Sequence, residues 1–222
     1  APDRPAMLVL GGGGYVELMV GREGVAVARW LAGLGIHAFV LVHRFPNAAT
    51  GPLAPLDDAV RATEMIRERD FGRIGVVGLS SGGHLAACLL ADPAPAEARP
   101  DVAVIGYGPI STNAAGRTVV EGKPPLAPPE KQALYDRLQP DAQLRADPPP
   151  VFIAYAANDP VVPVVNAFRL TEALAALGPM PELHVFADAP HGFALDRGAG
   201  PVTQWPDLCA AWLRQVGFLP PA

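Results

Sequence analysis

The sequence predicts a single α/β domain over residues 1–222, in which a mostly parallel sheet of about six strands lies between two layers of helices. Short apolar segments rich in β-branched residues alternate six times with amphipathic segments, an order typical of parallel strands joined by right-handed crossovers. Half of the 222 residues are hydrophobic and 18% are charged, which suits strands buried on both faces. The 26 prolines are spread through connecting segments, so we expect ordered loops there.

The predicted strands are short apolar segments, each ending at small or polar residues: 7–10, 38–42, the segment from Ile74 to the serines at 80–81, 102–106, 151–155 and 182–186. The predicted helices have apolar residues at helical spacing: 23–34, 56–69, the segment from the serines to about residue 92, 131–138, 165–177 and 206–215. Residues 109–150 are Pro-rich and irregular. We expect them to form a partial cap over the functional site.

A nucleophile elbow is predicted where the third strand ends. Residues 78–82 read Gly-Leu-Ser-Ser-Gly between an apolar segment and an Ala- and Leu-rich helical segment. A strand, a sharp turn and a helix are the context in which Gly-x-Ser-x-Gly presents a nucleophilic serine. The turn needs small neighbours, which favours Ser80, because Ser81 would place Leu79 where a small residue is required. An ordinary Gly-rich loop or a phosphate-binding loop is the alternative.

A serine hydroxyl needs a base, and five histidines are candidates for it. The chain order Ser, acid, His favours His191, which follows the last predicted strand; a surface loop histidine is the alternative. His84 lies one turn into the helix after Ser80, where we expect it to pack or to hydrogen-bond beneath the nucleophile. The other three are predicted to be structural or are out of order: His37, His43 and His184.

Asp159 is the favoured acid, because it follows the fifth predicted strand and lies between Ser80 and His191 in the chain. Asp188 would have to fold back on its own loop, and Asp196 follows the histidine. The alternative for Asp159 is an Asx turn before the proline that follows it.

The oxyanion of a tetrahedral intermediate needs preorganised N–H donors. We expect one from Ser81, directly after the nucleophile, and others from the four glycines at 11–14, where the backbone can approach a substrate closely. The register favours Gly12 and Gly13. A dinucleotide or phosphate loop is the alternative, but Gly-x-Gly-x-x-Gly does not open the next helix and Gly-Lys-Ser/Thr is lacking.

Five segments of the chain resemble motifs of the α/β-hydrolase fold: 11–15, 23–24, 78–87, 158–163 and 190–193. More narrowly, they resemble the acetyl xylan esterase-like and feruloyl esterase-like carbohydrate esterases near the hormone-sensitive-lipase group. The resemblance covers nearly the whole chain and is more specific for fold than for substrate. It implies that the family's triad falls on Ser80, Asp159 and His191, and that its oxyanion loop falls on residues 11–14.

The chain departs from the pattern of that family at three points. Members usually carry Pro where Gly11 stands and Ala where Ser81 stands, and both changes leave the N–H donors available. The chain also begins almost directly with the first predicted strand, without the antiparallel strands that usually open the fold. One sheet edge would then be less protected, and we expect it to pair with a missing segment or with a second copy in a homodimer.

These residues predict a serine hydrolase that cleaves short-chain carboxylic esters through an acyl-enzyme, and the resemblance implies acetyl esters of carbohydrates. The alternatives are a serine peptidase or lactone hydrolase of the same fold, and a non-catalytic protein that uses the fold to bind a ligand. Candidate walls of the substrate pocket, each of which could equally belong to the core, are Tyr15, Pro109, Ile110, Val161 and Phe193.

Composition and charge argue against other classes of protein. The net charge of −5 gives no basic surface for nucleic acid, and no apolar run approaches the length of a membrane span. No metal-ligand spacing is present, and we expect no cofactor. Cys88 and Cys209 fall in apolar helical patterns and are predicted to be buried free thiols. Residues 1–4 lack signal-peptide features, so we expect a cytoplasmic protein or an exported one whose signal has been removed.

Overall fold

The computed structural model describes residues 4–69, 71–178 and 180–221. Six strands form one sheet in the order β2-β1-β3-β4-β5-β6, and all five neighbouring pairs are parallel. The strands are β1 (Ala6–Leu10), β2 (His37–Val40), β3 (Ile74–Leu79), β4 (Val102–Gly106), β5 (Val151–Ala156) and β6 (Glu182–Phe186). The predicted fold class is confirmed, and four of the strands are buried along their whole length, as their apolar sequences require.

The helices cover both faces of the sheet. They are α1 (Ala26–Gly33), α2 (Ala54–Arg67), α3 (Ser81–Cys88), α4 (Pro129–Arg137), α5 (Pro140–Gln143), α6 (Val165–Leu177) and α7 (Trp205–Gln215). One face carries α1 and α7, which meet where the rings of Trp30 and Trp205 lie 5.5 Å apart. The other face carries α2, α3 and α6, with α5 between α3 and α6.

Several short elements were not predicted. A π-helix, Val20–Val25, precedes α1, and two 3₁₀ helices lie at Ala96–Ala98 and Gly200–Gln204. Such elements are too short for their side chains to show a period. The helix α5 was also missed for this reason, since it has four residues.

The parallel sheet brings four loops to one edge. The carboxyl ends of all six strands lie on the same side, so the loops after β1, β3, β5 and β6 converge there. The segment 109–150, which follows β4, is held in place by hydrogen bonds and an ion pair of its side chains and backbone. Asn166 of α6 accepts the N–H groups of Ser111 and Thr112. Arg117 forms an ion pair with the buried carboxylate of Asp141. The cap over the site and the single-domain assignment stay predictions.

Among the described residues, β2 pairs only with β1 and therefore forms one edge of the sheet.

Cys88 and Cys209 are buried and form no disulfide, and burial raises the pKa of both thiols. In the described part of the chain, no helix is both long and apolar enough to cross a bilayer. The residues 1–3, used in the prediction about a signal peptide, lie outside the described residues.

Candidate active site

A sharp turn presents Ser80 at the carboxyl end of β3. Ser80 has φ 53° and ψ −124°, a conformation that side chains rarely adopt, and it leads directly into α3. A Cβ on Gly78 would overlap the carbonyl oxygen of Gly82, and a Cβ on Gly82 would overlap that of Leu10. Only glycine fits at these two positions, so the small residues around Ser80 have a steric cause.

A chain of two hydrogen bonds runs from Ser80 to the acid loop. The Ser80 hydroxyl lies 3.0 Å from Nε2 of His191, and Nδ1 of His191 lies 2.7 Å from Oδ2 of Asp159. Nδ1–H therefore donates to the carboxylate, which leaves Nε2 to accept the serine proton. The Asp159 side chain is fully buried, whereas the imidazole of His191 is 20% exposed. The structure thus brings together the three side chains that the chain order predicted.

The carboxylate of Asp159 has two functions at once. Its Oδ1 accepts the N–H groups of Val161 and Val162, at 2.8 and 2.9 Å, which is the Asx turn considered as the alternative. This turn fixes the carboxylate while Oδ2 holds His191. The rival acids lie elsewhere: Asp188 accepts a hydrogen bond from Asn158, and Asp196 is exposed and pairs with Arg22.

His84 lies in the core, beneath the elbow. Its Nε2–H donates to the carbonyl of Leu138 at 2.9 Å, and its Nδ1 accepts the hydroxyl of Tyr15, also at 2.9 Å. Burial lowers the pKa of His84 to about 4, so the ring is neutral near pH 7. The other histidines do not contact Ser80: His37 packs on Phe71, His43 on Tyr15, and His184 pairs with Glu182.

The three predicted oxyanion donors differ in whether their N–H groups are engaged. The N–H of Gly12 donates to Oε2 of Glu23 at 2.7 Å and is therefore already engaged. The N–H groups of Gly13 and Ser81 make no hydrogen bond to any described residue, so these two are available. This bond speaks against the prediction of Gly12 as a donor, since the register alone could not show that a carboxylate elsewhere in the chain accepts its N–H. Ser81 also contributes its hydroxyl, which accepts the N–H of Gly14 at 2.9 Å.

Glu23 is a site residue whose role the sequence analysis missed. It lies in the π-helix, is 2% exposed, and uses both carboxylate oxygens. Besides Gly12, it accepts the hydroxyl of Tyr107 at 3.1 Å, and that hydroxyl in turn accepts the N–H of Ala194. One buried carboxylate thus connects the glycine loop to the loop of His191. An acidic residue in an otherwise apolar helical pattern was the available signal.

The five predicted pocket residues lie in two different environments. Tyr15 and Phe193 are each 1% exposed and pack among aromatic rings, Tyr15 against His84 and Phe193 against Tyr107. Pro109 and Ile110 are also buried. Val161 is 61% exposed. Tyr15 and Phe193 therefore have the surroundings expected of core residues, which was the alternative to a role as pocket walls.

The family of the chain follows from comparison with known proteins. Residues 42–221 match the dienelactone hydrolase family. The chain belongs to this family. Together with esterases among its relatives and structural neighbours, this membership confirms the resemblance to α/β-hydrolase-fold carbohydrate esterases.

Two curated relatives of this dienelactone hydrolase family member are named for xylan. The chain is 28% identical over 202 residues to an acetylxylan esterase of Xylanibacter ruminicola, covering 86% of this chain and 42% of that protein. It is 29% identical over 194 residues to endo-1,4-beta-xylanase B of Butyrivibrio fibrisolvens, covering 77% of this chain and 29% of that protein. The chain therefore spans less than half the length of the curated relatives it matches.

Solved structures of esterases share the fold of this family member. An acetyl ester-xyloside bifunctional hydrolase from Caldicellulosiruptor lactoaceticus is 31% identical, with a TM-score of 0.80 over 98% of this chain and 85% of that one. Thermogutta terrifontis esterase 2, phosphonylated by sarin, is 25% identical, with a TM-score of 0.81 over 100% of this chain and 88% of that one. Among the described residues of this chain, no group of His, Cys, Asp and Glu side chains is arranged to hold a metal ion.

Proposed function

We propose that the protein is a serine esterase that cleaves short acyl groups, acetyl above all, from carbohydrates. One observation carries this proposal: the hydrogen-bond chain from Ser80 through His191 to Asp159, with two unengaged N–H groups at Gly13 and Ser81 beside it. A serine hydroxyl becomes nucleophilic when an oriented imidazole can take its proton, and this geometry supplies both the base and its orientation.

In the proposed reaction, the Ser80 oxygen attacks the ester carbonyl while its proton moves to Nε2 of His191. The N–H groups of Gly13 and Ser81 stabilise the oxyanion. His191 then delivers the proton to the leaving alcohol, and the buried carboxylate of Asp159 balances the charge of the imidazolium in between. Water, deprotonated by His191, attacks the acyl-enzyme and releases the acid, which restores Ser80.

The substrate class rests on the relatives. Those that match the chain include an acetylxylan esterase and an acetyl ester-xyloside hydrolase, and both names combine an acetyl ester with a xylan or xyloside. Acetylated xylooligosaccharides are therefore the first natural substrates to test. A profile of acyl chain length, with lactones and peptide amides included, separates this proposal from a lactone hydrolase or a peptidase of the same fold.

Removal of the nucleophile tests the mechanism. The chain has three serines, Ser80, Ser81 and Ser111, which makes the comparison simple. We expect Ser80→Ala to lower kcat on p-nitrophenyl acetate by at least about 10⁴-fold. Ser111→Ala, at a hydroxyl that contacts Arg169, is the control and should remain active. Undiminished turnover by Ser80→Ala would exclude this mechanism.

A fluorophosphonate probe tests the alternative of a non-catalytic ligand-binding protein. We expect the probe to label Ser80 and to leave Ser81 and Ser111 unmodified, as read by peptide mass spectrometry. An unlabelled chain that still binds acetylated sugars would favour the non-catalytic alternative.

We also propose that the β2 edge mediates a homodimer. Only one side of this strand is paired among the described residues, and a free edge favours pairing with another strand. Light scattering at high protein concentration tests this, and a monodisperse monomer would contradict it.

A further inference from the structure

The chain uses lysine at two positions only. Fifteen of its 17 basic residues other than histidine are arginines, and the two lysines, Lys123 and Lys131, both lie in the segment 109–150. Lysine differs from arginine in carrying a compact charge with three donors, whose protonation responds to its surroundings. The two ammonium groups are therefore a chemically distinct pair, and both belong to the segment beside the catalytic loops.

Lys131 lies against the glycine loop. Its Nζ is 3.6 Å from the point that a Cβ on Gly14 would occupy, and the N–H of Gly14 is bound to the hydroxyl of Ser81. Two residues before Gly14, a Cβ on Gly12 would lie 2.6 Å from Cβ of Ser80. The ammonium group is thus beside the same loop that adjoins the nucleophile.

Lys123, in the same segment 109–150, lies at a cavity. Its Nζ donates to Oδ1 of Asn113 at 2.5 Å, and both residues line a cavity of about 210 Å³, as does Gln132. Gln132 is the neighbour of Lys131 in α4. The cavity at Lys123 is therefore lined by the residue next to Lys131 in the chain.

Neither ammonium group has an anionic partner among the described residues. Lys131 forms no hydrogen bond or ion pair there, and Lys123 has only the amide of Asn113. Both are half-buried, and burial lowers the pKa of each; the charge of Lys123 lowers that of Lys131 further. Lys131 also lies in the first turn of α4, where the helix dipole disfavours a cation. By contrast, Arg117 in the same segment is paired with Asp141.

We propose that Lys131, assisted by Lys123, binds a carboxylate carried by the ester substrate. The inference rests on the proposed esterase activity and narrows its substrate class to acidic esters, such as an acetylated sugar bearing a carboxylate. Lys131 lies against the glycine loop, and the charge of Lys123 acts on it. In a chain of net charge −5, these two half-buried cations form a local attraction for an anion. The carboxylate supplies the counter-charge that the described protein does not.

Matched esters test the preference. On the acyl side, mono-4-nitrophenyl succinate is compared with 4-nitrophenyl butyrate. On the alcohol side, 3-acetoxybenzoate is compared with its methyl ester. Each pair differs chiefly in one negative charge, so the ratio of kcat/KM within a pair reports the charge preference. The pair with the higher ratio shows which part of the substrate the lysines face.

Charge removal at Lys131 gives the decisive comparison. In Lys131→Met, we expect the acidic-to-neutral ratio of kcat/KM to fall about fivefold, mostly through KM of the acidic ester. In Lys131→Arg, which keeps the charge, the ratio should be largely restored. Arg137→Met is the matched control, since it removes an exposed charge from the same helix and should leave the ratio unchanged. Added salt should lower the ratio of the wild-type protein.

A binding measurement tests the carboxylate site without relying on turnover of an ester. Protein carrying ¹³C-labelled lysine gives two side-chain signals, one for each lysine. We expect succinate to shift both signals and to raise the pKa of both groups, while the isosteric diamide does neither.

The outcomes separate two failures. Absence of turnover on every ester, the neutral ones included, would overturn the proposed function. Turnover of neutral esters with a ratio that Lys131→Met does not change, and lysine signals that ignore succinate, would overturn the carboxylate site alone.

Discussion

The two sides of the glycine loop differ in how completely their polar groups are paired. Beneath the loop, Glu23 and Tyr107 use every carboxylate and hydroxyl oxygen in hydrogen bonds, and both side chains are buried. Beside the loop, Lys131 is half-buried without a partner among the described residues. Fully paired networks fix geometry in advance, whereas an unpaired charged group can still bind a ligand of opposite charge. This difference supports the two proposals made above, a role in catalysis for the first side and a role in substrate selection for the second.

The largest effect is expected from Asp159, which, like Glu23, has both carboxylate oxygens engaged in hydrogen bonds. Asp159→Asn should lower kcat on p-nitrophenyl acetate by about 10⁴-fold, because an amide can donate to Nδ1 of His191 and so favours the wrong tautomer. Its Oδ1 can still accept the turn N–H groups, so the loop should keep its shape. Steady-state kinetics and circular dichroism measure the two properties.

Asp188→Asn is the control for that substitution. Asp188 accepts a hydrogen bond from Asn158 in the same loop region and does not contact His191. A loss in Asp188→Asn as large as that in Asp159→Asn would mean that loop integrity, not the orientation of His191, limits turnover.

A stability effect is expected from His84, which connects the residue after the glycine loop with the segment that carries Lys131. It binds the hydroxyl of Tyr15 and the carbonyl of Leu138 in the segment 109–150. Burial lowers its pKa from 6.5 to about 4, so between these values the unfolded chain binds a proton that the folded one does not. Stability from this group is full above pH 6.5 and falls as pH drops towards 4, by up to about 3 kcal/mol.

Urea unfolding at pH 7 and at pH 4 measures this loss. His84→Gln should lose less stability between the two pH values than the wild-type protein does, even if it is less stable at pH 7. His43, whose pKa burial also lowers, contributes in the same direction in both proteins and cancels in the difference. Equal losses in both proteins would show that His84 does not cause the acid sensitivity.

A smaller effect on rate is expected from Glu23. Glu23→Gln keeps the size of the side chain but replaces one acceptor oxygen by an NH₂ group, which cannot accept the N–H of Gly12 or the hydroxyl of Tyr107. We expect kcat to fall about tenfold with little change in KM, because the oxyanion donor beside Gly12 acts only as charge develops. Glu17→Gln, at an exposed position of the same loop, is the control. A pure rise in KM would contradict this role.

The features that could be predicted from sequence are those set by local pattern and chain order. Strands β4 and β6 and helix α6 have the predicted bounds, and the parallel sheet then places the loops of Ser80, Asp159 and His191 at one edge. What could not be predicted depends on contacts between distant residues.

Glu23 and Gly12 show this limit. These two hydrogen-bonded residues are 11 positions apart, and Glu23 lies in a π-helix. A π-helix of this length has no side-chain period by which the sequence could reveal it. Which of several adjacent glycines offers a free N–H is decided by that bond and by the one from Gly14 to Ser81. Similarly, the apolar character of Tyr15 and Phe193 could not distinguish a pocket wall from the core.

The smallest effect is expected at Ser81, where the hydroxyl and the backbone have different functions. Ser81→Ala removes the acceptor of the Gly14 N–H but keeps the N–H of residue 81. Since Gly14 is half-buried, water can take up its freed N–H, and we expect a loss of about 1 kcal/mol in stability or transition-state binding, less than about tenfold in kcat/KM. A loss comparable to that of Ser80→Ala, with the fold intact by circular dichroism, would contradict this minor role of the Ser81 hydroxyl.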